Sequence, residues 1–85
     1  MTHHATPQFW AGYNALPKAV QRLADRNFER LKVDPDHPSL HFKQIGKIWS
    51  ARVGIGYRAL AIRSGDDWIW FWIGSHADYD KLLER

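Results

Sequence analysis

HFKQIGKIWSARVGIGYRALAIRSGDDWIWFWI, residues 41–73, decides the fold. Three turn signals divide it. Gly46-Lys47 is a two-residue hairpin turn, with glycine where a positive φ is required. Gly54-Ile55-Gly56 and Ser64-Gly65-Asp66-Asp67 mark the next two. The segments between them, His41–Ile45, Ile48–Val53, Tyr57–Ile62 and Trp68–Ile73, are short and rich in β-branched and aromatic residues. They predict a four-stranded antiparallel meander. The last segment is bulky at every position, as expected of a strand covered on both faces.

Upstream the period changes. Val20, Leu23, Ala24, Phe28 and Leu31 follow the three-and-four spacing of one apolar helical stripe, with Arg22, Arg26, Glu29 and Arg30 mostly on the other side. Pro17 suits the first turn of that helix, and Asp34-Pro35-Asp36-His37-Pro38 ends it. Pro7 opens an earlier helix through Phe9, Trp10 and Tyr13, so the two form a hairpin. Residues 1–6 read as a flexible tail. Downstream, Ser75 caps a short C-terminal helix, with Asp78 three residues on as a weak capping box. The expected fold is α+β: an N-terminal helical hairpin packed on a four-stranded antiparallel sheet, then a short C-terminal helix.

Eighty-five residues make a single domain, 1–85, and a core this small must be efficient. Five Trp, four Phe and three Tyr supply the area and argue against disorder. The absence of Cys removes disulfides, thiolate nucleophiles and thiolate metal sites. The start, Met-Thr-His-His-Ala-Thr-Pro, does not read as a signal peptide, and no apolar run is long enough to span a bilayer. A cytoplasmic protein without membrane association is expected.

Charge is unevenly placed. Lys43, Lys47, Arg52, Arg58 and Arg63 lie between residues 41 and 63, where there is no Asp or Glu. A strand-forming block with this bias is either a surface for an anion, above all a nucleic-acid backbone, or a solvated face paired with the acidic flanks. If Trp49, Ala51 and Val53 face the helices, Ile48, Ser50 and Arg52 face the other way. Lys43 can share that open face, and so can Arg58 or Tyr57. Alternation groups Arg58 with Leu60 and Ile62, and a bulge near Gly54-Ile55-Gly56 would re-aim it. At Gly74-Ser75-His76-Ala77-Asp78-Tyr79, an imidazole and a phenol share one helix face beside free N-terminal N–H groups. They suit proton transfer on a phosphodiester, or else form a surface pair at an ordinary cap. Ser75, His76 and Asp78 are too close in sequence to form a triad. The His37/His41 and His3/His4 spacings do not suggest a metal site. Trp68, Trp70 and Trp72 are either a base-stacking platform or core.

YNALPKAVQRLADRNFERLKVDPDHPSLHFKQI (13–45), WSARVGIGYRALAI (49–62) and WFWIGSHADYDKLL (70–83) together resemble the RelE/ParE toxin superfamily over residues 9–83. The most specific parts are Trp49-Ser50 with Arg52, Gly56-Tyr57-Arg58-Ala59-Leu60, and Ile73-Gly74-Ser75-His76 to Tyr79. The resemblance implies the toxin of a type II toxin–antitoxin pair. In RelE-like members this is a ribosome-dependent endoribonuclease, an mRNA interferase that inhibits translation. The 2′-OH attacks the adjacent phosphate, and neither a metal nor another cofactor is required.

By resemblance the catalytic residues are Arg58, Arg52, His76 and Tyr79, with Arg58 matching the strand arginine that stabilises phosphate charge. Lys43, Lys47, Arg63 and His41 would hold RNA phosphates. The implied partners are a cognate antitoxin carrying a DNA-binding domain, the ribosome and mRNA. Three features depart from the family pattern: some members have His and Tyr adjacent, whereas Ala77 and Asp78 separate His76 from Tyr79 here, and two more concern the base and the N-terminus. The Glu base of some members is missing at Pro38-Ser39-Leu40-His41, leaving His41 or His76 to replace it, and the usual N-terminal strand has no counterpart in the tail. The alternatives are a ParE-like DNA gyrase poison without nuclease activity and a non-catalytic RNA-binding module.

Overall fold

The computed structural model describes residues 2–83. In chain order its elements are β1 (Thr2–Ala5), α1 (Pro7–Asn14), α2 (Lys18–Val33), a 3₁₀ turn (Pro38–Leu40), β2 (Lys43–Ile45), β3 (Ile48–Val53), β4 (Tyr57–Ser64), β5 (Asp67–Ser75) and α3 (His76–Leu83). The expected α+β fold is present, but the sheet is five-stranded and mixed, in the order β1-β5-β4-β3-β2. β2 through β5 form the expected meander. β1 adds to β5 in parallel, Thr2 opposite Asp67 and Ala5 opposite Trp70.

The stretch expected to be a flexible tail is therefore a strand. Thr-His-His-Ala shows no apolar alternation, and its pairing partner lies far along the chain, so local pattern is silent about it. Specific contacts hold it. The Trp70 indole Nε1–H donates to His3 Nδ1 at 3.1 Å, and the His3 ring meets Phe28 edge-on at 5.0 Å. Thr6 then does two tasks: its N–H donates to the Trp70 carbonyl at 3.0 Å, and its Oγ1 caps α1 by accepting from Phe9 N–H at 3.1 Å.

His3 gives this docking a pH dependence. Burial first, then the charges of Lys32, the chain's amino terminus and His4, hold its pKa below the ordinary 6.5. The bond from Trp70 also needs Nδ1 unprotonated. A lowered folded-state pKa means that the unfolded chain takes the proton first. This stability is therefore full above about pH 6.5 and is lost as pH falls through the folded value. Urea midpoints measured from pH 8 to pH 5 should fall in the wild type and fall less in His3→Gln. Equal pH slopes for the two proteins would sink this account of β1.

The two helices lie on one side of the sheet. Ala51, Ala59 and Ala61 line that side at 6%, 6% and 0% exposure, and the larger Trp68, Trp70, Ile73 and Leu40 pack against them. Small residues in the strands make room for the bulky ones in this layer. A Cβ on Gly12 would lie 2.6 Å from the Ile73 carbonyl oxygen, so α1 can seat against β5 only with glycine there. The stripe on α2 is less deeply covered than its spacing suggests. Leu31 is buried, whereas Val20, Leu23, Ala24 and Phe28 are half-buried against the core. A cavity of about 260 Å³ remains between the hairpin and the sheet, walled by Phe9, Tyr13, Phe28, Val53 and Trp70.

The irregularity in the sheet is at Phe71. Leu60 pairs with Trp72 and Ala61 with Trp70, so β5 carries one extra residue. That bulge is why Trp68, Trp70 and Ile73 all reach the core despite their uneven spacing. At the β3–β4 hairpin the register is regular, with Arg52 opposite Arg58 and Val53 opposite Tyr57. Arg58 therefore keeps simple alternation with Leu60 and Ile62, and no bulge re-aims it.

Candidate functional site

The face of the sheet away from the hairpin gathers the arginines. Arg52 on β3 and Arg58 on β4 are cross-strand partners, so both side chains leave from this face. Like charges placed directly opposite are destabilising, and among the described residues no carboxylate lies within ion-pair distance of either. Arg58 is only 6% exposed. Its Nε–H donates to Ser50 Oγ at 2.6 Å and its Nη2 to the His41 carbonyl at 3.3 Å. The Tyr79 ring lies 5.1 Å from its guanidinium carbon. Burial pulls the Arg58 pKa below its usual value; Tyr79 opposes this, and Arg52 adds to it. A guanidinium remains a cation under these conditions, so the result is a buried positive charge without a counter-ion.

His41 links the two arginines. Its carbonyl receives Arg58, and its Nε2 lies 3.2 Å from Arg52 Nη1. A guanidinium only donates, so in this contact Nε2 is the acceptor. Arg52 Nε–H also donates to the Gly54 carbonyl at 2.8 Å. His41 closes the 3₁₀ turn with φ 43° and ψ 43°, the one non-glycine residue with positive φ among the described residues. This corrects the expectation that the strand begins at His41: β2 starts at Lys43. The left-handed turn sends Phe42 inward, its ring 5.0 Å from Trp49 and 5.2 Å from Trp68, while the His41 ring stays outside with the arginines.

The C-terminal residues approach from α3. Ser75 Oγ accepts from Asp78 N–H at 3.1 Å, the expected cap. His76 N–H donates to the Gly56 carbonyl at 2.7 Å, which ties α3 to the β3–β4 turn. Tyr79 is the buried residue of α3 and packs on Arg58. The His76 ring lies 5.6 Å from Tyr79 at 62°, and its Nδ1 is 3.2 Å from Asp80 Oδ2. Arg52, Arg58, His41, Tyr79 and His76 thus form one continuous set.

Lys43 shares their face, opposite Ser50. Arg63 and Lys47 stand apart from it. Arg63 pairs with Trp68 on the hairpin-facing side, its guanidinium 5.4 Å from that ring, and Lys47 lies in the β2–β3 turn. Trp68 and Trp70 are core rather than an exposed stacking platform. Sequence reasoning passed over Ser50 as a site residue. Its side chain is fully buried and fixes Arg58. A lone hydroxyl between Trp49 and Ala51 was the available signal, because such a group must find a buried partner.

No family model and no curated protein matches this sequence. Solved structures do match in shape. A chain of the RelB-RelE antitoxin-toxin complex from Methanococcus jannaschii superposes with TM-score 0.75 at 15% identity, covering 94% of this chain and 98% of that one. The YoeB/ParE toxin from Agrobacterium tumefaciens gives TM-score 0.69 at 15% identity, over 89% and 99% of the two chains. The isolated E. coli RelE toxin gives 0.65 at 10% identity, over 99% and 96%. At such identities the likeness is one of fold. The chain has the RelE-like toxin fold, as the resemblance in its sequence implied, and the N-terminal strand expected to be missing is present as β1.

Proposed function

We propose that this protein is the toxin of a type II toxin–antitoxin pair and that it inhibits translation by cutting mRNA on the ribosome. The observation that carries the reading is the Arg52–Arg58 pair: the two face each other across the strands, Arg58 is buried, no carboxylate among the described residues pairs with either, and His41 joins them. A site that keeps uncompensated positive charge at a fixed position is built for an anion that gains charge during reaction. The matched fold supports a toxin role, and the RelB–RelE complexes among its structural neighbours support an antitoxin partner.

The chemistry assigned to the site is transesterification. The RNA 2′-OH attacks the adjacent phosphorus and loses its proton to His41. The bond to the 5′-oxygen breaks, and that oxygen takes a proton from His76, which Asp80 orients. The products are a 2′,3′-cyclic phosphate and a 5′-OH. Arg58 and Arg52 stabilise the charge gathered on the phosphate oxygens, and Tyr79 holds Arg58. Lys43 holds backbone beside them.

Induction of the gene in a host cell tests this reading. Rapid loss of protein synthesis, with mRNA fragments bearing 5′-OH ends, is the expected result. Filamentation and a DNA-damage response with intact mRNA would replace the nuclease reading by gyrase poisoning. Unimpaired growth would overturn both.

A further inference from the structure

The β3–β4 hairpin carries a second like-charged pair. Trp49 lies opposite Ala61, and beyond that pair Lys47 in the β2–β3 turn and Arg63 on β4 line one cleft. Arg52 and Arg58 mark the turn end of the hairpin; Lys47 and Arg63 mark its open end, five residues away along β3, or roughly 17 Å. Parity puts Arg63, with Ala61 and Ala59, on the face opposite Arg58. An open cleft of about 490 Å³ lies here, lined by Gln44, Lys47, Trp49, Ile62 and Arg63. Among the described residues no carboxylate lies within ion-pair distance of Lys47 or Arg63. Arg63 is steadied by its Nε–H bond to the Gly65 carbonyl at 3.0 Å and by its stack on Trp68, which leaves its outer nitrogens available. Two cations over an aromatic wall, with an amide beside them, are the elements that take a phosphate and the base attached to it.

We infer that this cleft is a second single-stranded RNA subsite, holding nucleotides that flank the one bound at Arg52 and Arg58. β2 lies between the two. It is three residues long and ends the sheet, with Lys43 on the Arg58 face and Gln44 beside Trp49 on the other. A strand leaving Arg58 therefore passes Lys43, crosses the β2 edge and enters the cleft. The RNA class of the ligand rests on the nuclease reading; the cleft, its charge and its aromatic wall do not.

The test uses 2′-O-methyl RNA, which binds but cannot be cut, as a dinucleotide and as a longer oligonucleotide. Wild type and Arg58→Ala should both bind the longer probe more tightly than the dinucleotide, with quenching of tryptophan fluorescence. Lys47→Gln/Arg63→Gln should lose that advantage by at least about tenfold. Its salt dependence for the longer probe should flatten by about 1.4 in log–log slope, from two phosphates at about 0.7 each. Circular dichroism and thermal melting show whether the variant is folded, and Lys47→Gln alone serves if the pair is not. Unchanged affinity and salt slope in a folded variant would overturn the subsite. So would intact RNA binding with loss of binding to a protein partner, which would make the cleft a protein contact. Failure of the nuclease reading has a separate signature: length-dependent RNA binding in a wild type that cuts nothing.

Discussion

Arg58→Ala should lower RNA cleavage by about 10²–10³-fold, because it removes a preorganised donor from the phosphate as charge develops there. Two structural consequences must be separated from that chemical one. Truncation leaves the buried Ser50 hydroxyl without its 2.6 Å partner, at a cost of about 1–3 kcal/mol. It also removes a buried cation that lacks a counter-ion, which works in the opposite direction. The double change Arg58→Ala/Ser50→Ala takes away the orphaned hydroxyl, so it should melt closer to wild type and remain inactive. Arg58→Lys is the informative intermediate. It keeps the charge but has no fork to hold Ser50 and the His41 carbonyl at once, and should retain little activity. Purified variants, compared by thermal melting and by cleavage of programmed mRNA, give both readouts. Should Arg58→Ala and Arg52→Ala each cut within a few-fold of wild type, the open sheet face is not where the reaction occurs.

What the sequence made legible follows from how far each signal reaches. β3 was readable to the residue because its turns are glycine-marked and its alternation is clean. α2 was readable from its stripe, and α3 from Ser75 and Asp78. These are local signals, each contained in a few neighbouring residues. β1 was not readable, since what makes Thr2–Ala5 a strand is its distant partner β5. The Phe71 bulge was hidden for a related reason: a run of uniformly bulky residues has no alternation in which a slip would show. In the site, Arg52 was legible on the open face, whereas the face taken by Arg58 was left between two choices, because its place opposite Arg52 depends on register and not on spacing. His41 was read as a phosphate binder and as one of two candidate bases, and nothing in Leu40-His41-Phe42 announces a left-handed residue. That single φ puts the imidazole between the arginines.

The position of His41 carries the second large expectation. His41→Asn should reduce cleavage by about 10²–10⁴-fold, the usual range for losing a general base. Asparagine is the suitable replacement because it tolerates the left-handed backbone, so the turn, Phe42 and the carbonyl that receives Arg58 all stay in place. The change therefore tests the ring alone. A base must be unprotonated to act, so the wild-type rate should fall toward acid pH. In His41→Asn the residual rate should lose this acid limb, while affinity for uncut RNA changes little, since Arg52, Arg58 and Lys43 remain. His76→Gln provides the contrast. It removes the imidazole beside Tyr79, and should instead affect the alkaline limb, where an acid must still hold its proton. If His41→Asn keeps both its rate and its acid limb while His76→Gln loses the acid limb, the base is on α3 and His41 serves only to position Arg52.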